Sequence, residues 1–285
     1  MTIRILGSGA SEGIPAFLCN CPICVQASRR RGREIRLNAC AYVESSSGEG
    51  ILIDMPPSVK AAWDRYRLDH NRLLAVLLSH YHSDHTHGLR HLLEAIPDNG
   101  YRSPHEVDLY LPADAMVKAV QQLYPDRDFS EGDRDGQFFS INPASAYRPL
   151  SLGPFEVTPL ETNHLKRNRG DGSLEGETFG YLFQDADGKR LAYLVDAQID
   201  MPEATYKAMS GEPLDCLIFE CTFARLDPPY RHTDLAGIVS VQRRLKPRLM
   251  VATHISHRAL GHRELKRALR PYGIRVAFDG MLLRL

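Results

Sequence analysis

The sequence predicts an α/β protein built on mixed β-sheets, and three observations carry that expectation. Apolar runs of strand length recur along the chain, with helix-compatible stretches between them. Asp185-Ala186-Asp187-Gly188 has the composition of a tight hairpin turn between two such runs, so the strands are not all parallel. Histidines and aspartates collect where the runs end, the place where layered α/β proteins open a crevice.

Taken in order, an apolar run at residues 3–6 leads into Gly7-Ser8-Gly9, and a long irregular stretch to Asn38 holds a cysteine cluster and Arg29 to Arg31. Residues 41–44 and 51–54 read as strands around a hairpin-like Ser45-Ser46-Ser47-Gly48-Glu49. Residues 59–66 look helical, and residues 73–79 form a continuous apolar run of buried-strand length that ends at a histidine motif. A helix is expected over 88–95, a strand over 107–111 and a helix over 112–123. Residues 124–150 are rich in Asp, Arg, Gly and Pro and read as loop or insertion. Further strands are expected at 155–160, 178–183, 190–195, 216–220, 248–253 and 275–277, with helices between them. No fixed short repeat and no low-complexity linker divides the chain, so residues 1–285 are expected to form one domain.

With 285 residues and 43% hydrophobic composition the chain can bury a full core. Thirty-five basic residues balance thirty-five acidic ones, so no global field draws in nucleic acid or an anionic membrane. No apolar run approaches the roughly 20 residues that span a bilayer, and the first residues lack a secretion signal, which points to a cytoplasmic protein.

His80-Tyr81-His82-Ser83-Asp84-His85 follows directly on a strand. In extended backbone His80 and His82 project to the same side, and Asp84 and His85 follow within a turn. Imidazole and carboxylate are the groups that hold zinc, manganese or iron with positions open for catalysis. The bland alternative, a histidine-rich surface loop, weakens because His164, Asp196 and His254 also follow predicted strands.

His80-x-His82-x-Asp84-His85 with isolated His164, Asp196 and His254 resembles the metallo-β-lactamase superfamily over nearly the whole chain. The resemblance implies a four-layer αββα sandwich. It also implies a dinuclear site in which His80, His82 and His164 hold one divalent cation, Asp84, His85 and His254 the other, and Asp196 bridges them.

Cys19-Asn20-Cys21-Pro22-Ile23-Cys24 is too crowded for mutual disulfides and supplies three thiolates to a tetrahedral structural zinc, for which His257 is available as the fourth ligand. Ordinary buried cysteines in a loop are the alternative, and Cys40, Cys216 and Cys221 read as core or lining residues. Thiolates ahead of the histidine motif, with Thr253-His254-Ile255-Ser256-His257 and Phe278-Asp279-Gly280-Met281, resemble the PhnP-like phosphoribosyl cyclic phosphodiesterases of phosphonate catabolism. Asn163-His164 and Thr178-Phe179-Gly180-Tyr181 share that likeness. The resemblance implies a structural zinc on Cys19, Cys21, Cys24 and His257, carried by an inserted loop at about residues 17–33. It also implies manganese or zinc at the active site, a homodimer, and a place for His232, in Arg231-His232-Thr233-Asp234, beside the metals.

The function so implied is a metal-dependent phosphodiesterase opening 5-phosphoribosyl 1,2-cyclic phosphate to ribose 1,5-bisphosphate. A hydroxide shared by two cations would attack phosphorus and His232 would protonate the departing oxygen, with Asp84 and Asp196 completing the catalytic group. One departure stands out. Residues 165–172, with Lys166, Arg167 and Arg169, intervene where the family's segment is short, so the pocket rim and the substrate are expected to differ. The rival readings are a pyrroloquinoline-quinone biosynthesis protein B-like enzyme of oxidative chemistry, whose members depart from the full histidine motif although Asp196-Ala197-Gln198-Ile199-Asp200 resembles them, and a nuclease or lactonase on the same fold.

Overall fold

The computed structural model describes residues 1–93, 106–115, 118, 139–165, 176–225 and 231–285. In chain order its strands are β1 (Thr2–Gly7), β2 (Cys40–Glu44), β3 (Gly50–Ile53), β4 (Leu73–Leu77), β5 (Val107–Pro112), β6 (Phe139–Ala144), β7 (Leu150–Leu152) and β8 (Phe155–Glu161). They continue with β9 (Phe179–Asp185), β10 (Arg190–Leu194), β11 (Cys216–Glu220), β12 (Leu249–Thr253), β13 (Ile274–Val276) and β14 (Leu282–Arg284). Two seven-stranded sheets result, ordered β14-β1-β2-β3-β4-β5-β6 and β13-β12-β11-β10-β9-β8-β7. Both are mixed. β3 to β6 run parallel and β10 to β13 run parallel, while β14-β1-β2-β3 and β7-β8-β9-β10 pair antiparallel.

Period-two alternation sorts the side chains into layers. Ile3, Ile5, Ala41, Val43, Ile51, Ile53, Ala75 and Leu77 of the first sheet share one core with Val157, Phe179, Tyr181, Phe183, Leu191, Tyr193 and Ile218 of the second. The alternate residues face helices. Leu52, Val76 and Leu109 pack with Val59 and Ala62 of a helix at Val59–Tyr66. Ala192, Leu194, Leu217, Phe219 and Ala252 pack under helices at Glu203–Ser210, Leu235–Leu245 and His262–Leu269. The arrangement is therefore the four-layer αββα sandwich.

The hairpin at 185–188 forms as its composition predicts. Gly188 takes a φ of 71°, and the Asp185 carboxylate accepts from the backbone N–H groups of Asp187 and Lys189. Gly88 is required for another reason: a Cβ there would lie 2.3 Å from the Pro56 carbonyl oxygen, so the turn after the histidine motif could not close against β3's end.

Several expectations need correction. The stretch to Asn38 is not wholly irregular, because Pro22–Arg30 is a helix with Pro22 in its first turn and the Cys21 sulfur accepting from Cys24 N at its start. The helix expected at 88–95 is broken into Ser83–Thr86, a tighter turn at His87–Leu89, and Arg90–Leu93, with 94–95 outside the described residues. Pro112 closes β5; of the helix expected over 112–123 only 113–115 and 118 are described, and they are helical. The loop expected over 124–150 contains β6 and the start of β7. Pro143 obscured β6, yet this strand lies at a sheet edge, where a residue without an N–H is tolerated; residues 124–138 lie outside the described ones. Residues 282–284 add a strand too short for its pattern to be read. Among the described residues no helix is long and apolar enough to cross a membrane.

Candidate metal centre

The functional side chains ride on the carboxyl ends of central strands: Asp54 after β3, Ser79 to His85 after β4, His164 shortly after β8, Asp196 after β10, Glu220 at the end of β11 and His254 after β12. Asp54, Asp196 and His254 adopt left-handed backbone with φ of 63°, 50° and 53°, which turns each side chain out of its strand and into the crevice. Such conformations cost of order 1–3 kcal/mol each and persist where the surroundings impose them.

The structure brings all seven expected ligands of the dinuclear site together. Ligand atoms of His80, His82 and His164 lie within 4.8 Å of one another, as do those of Asp84, His85 and His254, and those of His80, His85 and Asp196. Asp196 sits between the groups, with Oδ1 3.4 Å from His164 Nε2 and Oδ2 3.0 Å from His85 Nε2 and 3.3 Å from His254 Nε2. His82 Nδ1 and His164 Nε2 are 3.4 Å apart, close to the edge of about 3.3 Å for two nitrogens on a tetrahedral zinc.

Four atoms decide that cations fit here. His80 Nε2, His85 Nε2, His254 Nε2 and Asp196 Oδ2 are buried without any hydrogen bond of acceptable geometry. Orphaned polar atoms cost free energy in an interior, and divalent cations held by the cluster would satisfy them. The far nitrogens of the same rings are fully engaged: His85 Nδ1 with Asp54 at 2.8 Å, His80 Nδ1 with Ser79 Oγ at 3.0 Å, His254 Nδ1 with Thr222 Oγ1 at 3.0 Å and His164 Nδ1 with the Arg231 carbonyl at 2.9 Å. That outer set fixes which nitrogen each ring offers.

The electrostatics agree. Burial lowers the pKa of His80, His82 and His164, which keeps these rings neutral and able to ligate. Asp196 is held well below the ordinary carboxylate range against the cost of its burial by His254, His164 and His85. Burial opposes charge on His85 too, but Asp84, Asp54 and Asp196 outweigh it and raise its pKa; a bound cation takes the place of that proton.

His232 stands beside the cluster. Its Nδ1 is 2.9 Å from Glu220 Oε2 and 3.6 Å from Asp196 Oδ1, and its ring lies 4.8 Å from that of His164. Burial alone would depress its pKa, but Glu220, Asp196 and Asp84 carry it up to about 9. Glu220 was not foreseen from the sequence, nor were Asp54, Ser79 and Thr222. Asp54 and Glu220 did carry a readable signal, an acid closing an apolar strand.

The second expected cluster is also gathered. His257 Nδ1 lies 3.2, 3.6 and 3.4 Å from the sulfurs of Cys19, Cys21 and Cys24. A tetrahedral zinc with three sulfurs and one nitrogen requires edges of about 3.5 Å, so the donors fit the ion. Ala16 N, Cys21 N and Cys24 N point at the sulfurs of Cys24, Cys19 and Cys21, as thiolates require. Cys40, Cys216 and Cys221 are buried, as expected.

A cavity of about 420 Å³ opens over the His/Asp cluster, bordered by His82, Asp84, His232 and, at the rim, Glu12, Phe223 and Arg258. The Arg258 guanidinium lies 5.0 Å from the centre of the Phe223 ring. The basic residues at 166, 167 and 169 lie outside the described residues.

The family pattern described as "Beta-lactamase superfamily domain" matches residues 50–255. The chain belongs to the metallo-β-lactamase superfamily. Within it, the chain is 29% identical over 238 residues to Coenzyme PQQ synthesis protein B of Xanthomonas oryzae pv. oryzae, covering 80% of this chain and 75% of that protein. Among solved structures, a diphosphatase of the PhnP family is similar with a TM-score of 0.79 and 25% identity, covering 100% of this chain and 97% of the other. Zn(2+)-bound PqqB from Methylobacterium extorquens has the same fold, with a TM-score of 0.78 and 19% identity over 100% of both chains. The superfamily is one of metal-dependent hydrolases, and the His/Asp cluster at the strand ends is this chain's candidate metal centre.

Proposed function

We propose that this chain is a metal-dependent phosphodiesterase acting on a small cyclic phosphate, with 5-phosphoribosyl 1,2-cyclic phosphate opened to ribose 1,5-bisphosphate as the favoured reaction. The observation that carries the reading is the complete donor set around four orphaned buried atoms, with His232, held by Glu220, beside it. His80, His82 and His164 would hold one cation, Asp84, His85 and His254 the other, and Asp196 both. When bound, two divalent cations supply a water of lowered pKa and neutralise charge on phosphoryl oxygens.

The chain's own residues do the rest. Glu220 engages Nδ1 of His232, so the proton available to a leaving oxygen sits on Nε2. Arg258, at the cavity rim over Phe223, offers a charge to an anionic substrate. Asp54 and Ser79 keep His85 and His80 in register. Phosphoryl chemistry also agrees with the similarity to a diphosphatase of the PhnP family. Cys19, Cys21, Cys24 and His257 would hold a structural zinc.

A second reading, a role like that of Coenzyme PQQ synthesis protein B, is favoured by the 29% identity to that protein. One panel separates the two: ribosyl 1,2-cyclic phosphate, nucleoside 2′,3′-cyclic phosphates, bis-nitrophenyl phosphate and long RNA, each with manganese, zinc or iron under air and under argon. Turnover of small cyclic phosphates without oxygen supports the phosphodiesterase. Activity that requires iron and oxygen, with no phosphate ester cleaved, overturns it.

A further inference from the structure

Away from the metal centre, a second cavity of about 410 Å³ lies at the open edge of the second sheet, between β13, the helix His262–Leu269 and the turn at Gly32–Glu34. It shares no lining residue with the metal-centre cavity. Four of its side chains are cationic, Arg33, Lys266, Arg270 and Arg275, and none is a carboxylate. In a chain whose total charge balances to zero, that is a strong local concentration of one sign. Surface charges of both signs are normally interspersed, and packing four cations around one concavity raises the energy of the free protein unless an anion enters.

The cavity is built as well as charged. Phe278 lines it, with the Arg33 guanidinium 4.1 Å from the ring centre and the His262 ring set nearly perpendicular to it, 6.1 Å between centres at 84°. A guanidinium held over an aromatic face keeps its charge at the surface while its contact with the ring limits its motion. His262 is fixed too: Arg36, itself buried, donates from Nη2 to His262 Nδ1 at 3.1 Å, which leaves the ring proton on Nε2. Burial and the neighbouring Arg36 bring the His262 pKa down to about 4, so the ring is a neutral donor at physiological pH. Glu34, beside Arg33, is engaged in accepting from the His262 backbone N–H at 2.9 Å.

We propose that this cavity is a binding site for a small phosphate-bearing ligand that also carries a flat ring, a mononucleotide being its plainest representative. The cations meet the phosphates, and the Arg33–Phe278 stack offers a surface to the ring. The volume falls in the range of small-molecule sites, roughly 300–1,000 Å³, and is too small for an extended polymer. A second copy of the chain is disfavoured as the occupant, because it would bring like charge against like charge. The proposal does not depend on the reaction assigned to the metal centre.

The test is calorimetric titration of the full, metal-loaded chain with ADP, inorganic pyrophosphate and a short oligothymidylate at matched ionic strength. It compares the wild type with Arg270→Ser/Arg275→Ser and with Lys266→Glu, all exposed positions outside the metal centre. Saturable ADP binding that weakens at least about tenfold in the double variant, with pyrophosphate weaker than ADP, supports the site; the variants' hydrolytic rates stay unchanged. ADP affinity equal in wild type and variants places binding in the metal-centre cavity and overturns the proposal. So does the absence of saturable binding, or an oligothymidylate bound more tightly than ADP and sensitive to the same substitutions. If the double variant does not fold, Lys266→Glu decides by the same criterion.

Discussion

A carboxylate as deeply buried as Glu220 is costly unless its lone pairs are filled, and here four donors fill them: Ala197 N and Thr233 N on Oε1, Thr222 Oγ1 and His232 on Oε2. The consequence is a single orientation for His232. Substitution His232→Ala is expected to retain metal and fold, to lower turnover by about 10² or more on substrates with poor leaving groups, and to leave an activated nitrophenyl ester nearly unaffected. Equal losses on both substrates would refute the proton-donor role. Arg258→Ala is expected to raise KM for an anionic substrate roughly tenfold with little change in kcat; a fall in kcat alone would place Arg258 elsewhere in the reaction. His262 gives a stability prediction. Its folded pKa of about 4 lies below the ordinary value of 6.5, so the unfolded chain binds the extra proton first. Stability is fully present above pH 6.5 and falls as pH drops toward 4. In His262→Gln that part of the acid limb should flatten, as denaturant midpoints measured across this window would show.

At the scale of elements, the site depends on holding strand ends from two sheets in register. Tyr181 of β9 donates its hydroxyl to the Leu78 carbonyl at 2.6 Å, and Phe179 N donates to the Ser79 carbonyl at 2.9 Å, so the second sheet grips the first just before His80. Tyr181→Phe leaves the buried Leu78 carbonyl short of a donor and is expected to cost about 1–3 kcal/mol in unfolding free energy; an unchanged midpoint would show that the contact is not needed. Most of this scaffold was legible in the sequence. The stretches 51–53, 73–78 and 191–195 are continuous apolar runs, and ligand-type residues at their ends stand out because burial forces the positions before them to be apolar. The edge strand β6 was hidden by Pro143, and the helix Pro22–Arg30 by the cysteines at its start, since patterning speaks weakly where a metal site rather than a core orders the backbone. Arg258 and Phe223 were equally silent, because an exposed cation or aromatic acquires meaning only from what the fold sets beside it.

On the scale of the whole molecule, two clusters of ligands share one loop. His254 belongs to the His/Asp group and His257, three residues on, to the cysteine group, so an ion on the cysteines would tie the amino-terminal loop to the rim of the cavity over that group. Glu12 on that loop accepts from the hydroxyl of Ser256, between the two histidines. Loss of the cysteine site, as in Cys21→Ser, is therefore expected to lower both the unfolding temperature and activity. The central claim is that seven side chains from both sheets form one dinuclear centre joined by Asp196. Its most direct test is elemental metal analysis of the purified protein beside Asp196→Ala. About three ions per chain are expected in the wild type, two on the His/Asp cluster and one on the cysteines, and about one in the variant. An Asp196→Ala protein that keeps the full wild-type complement would contradict the account.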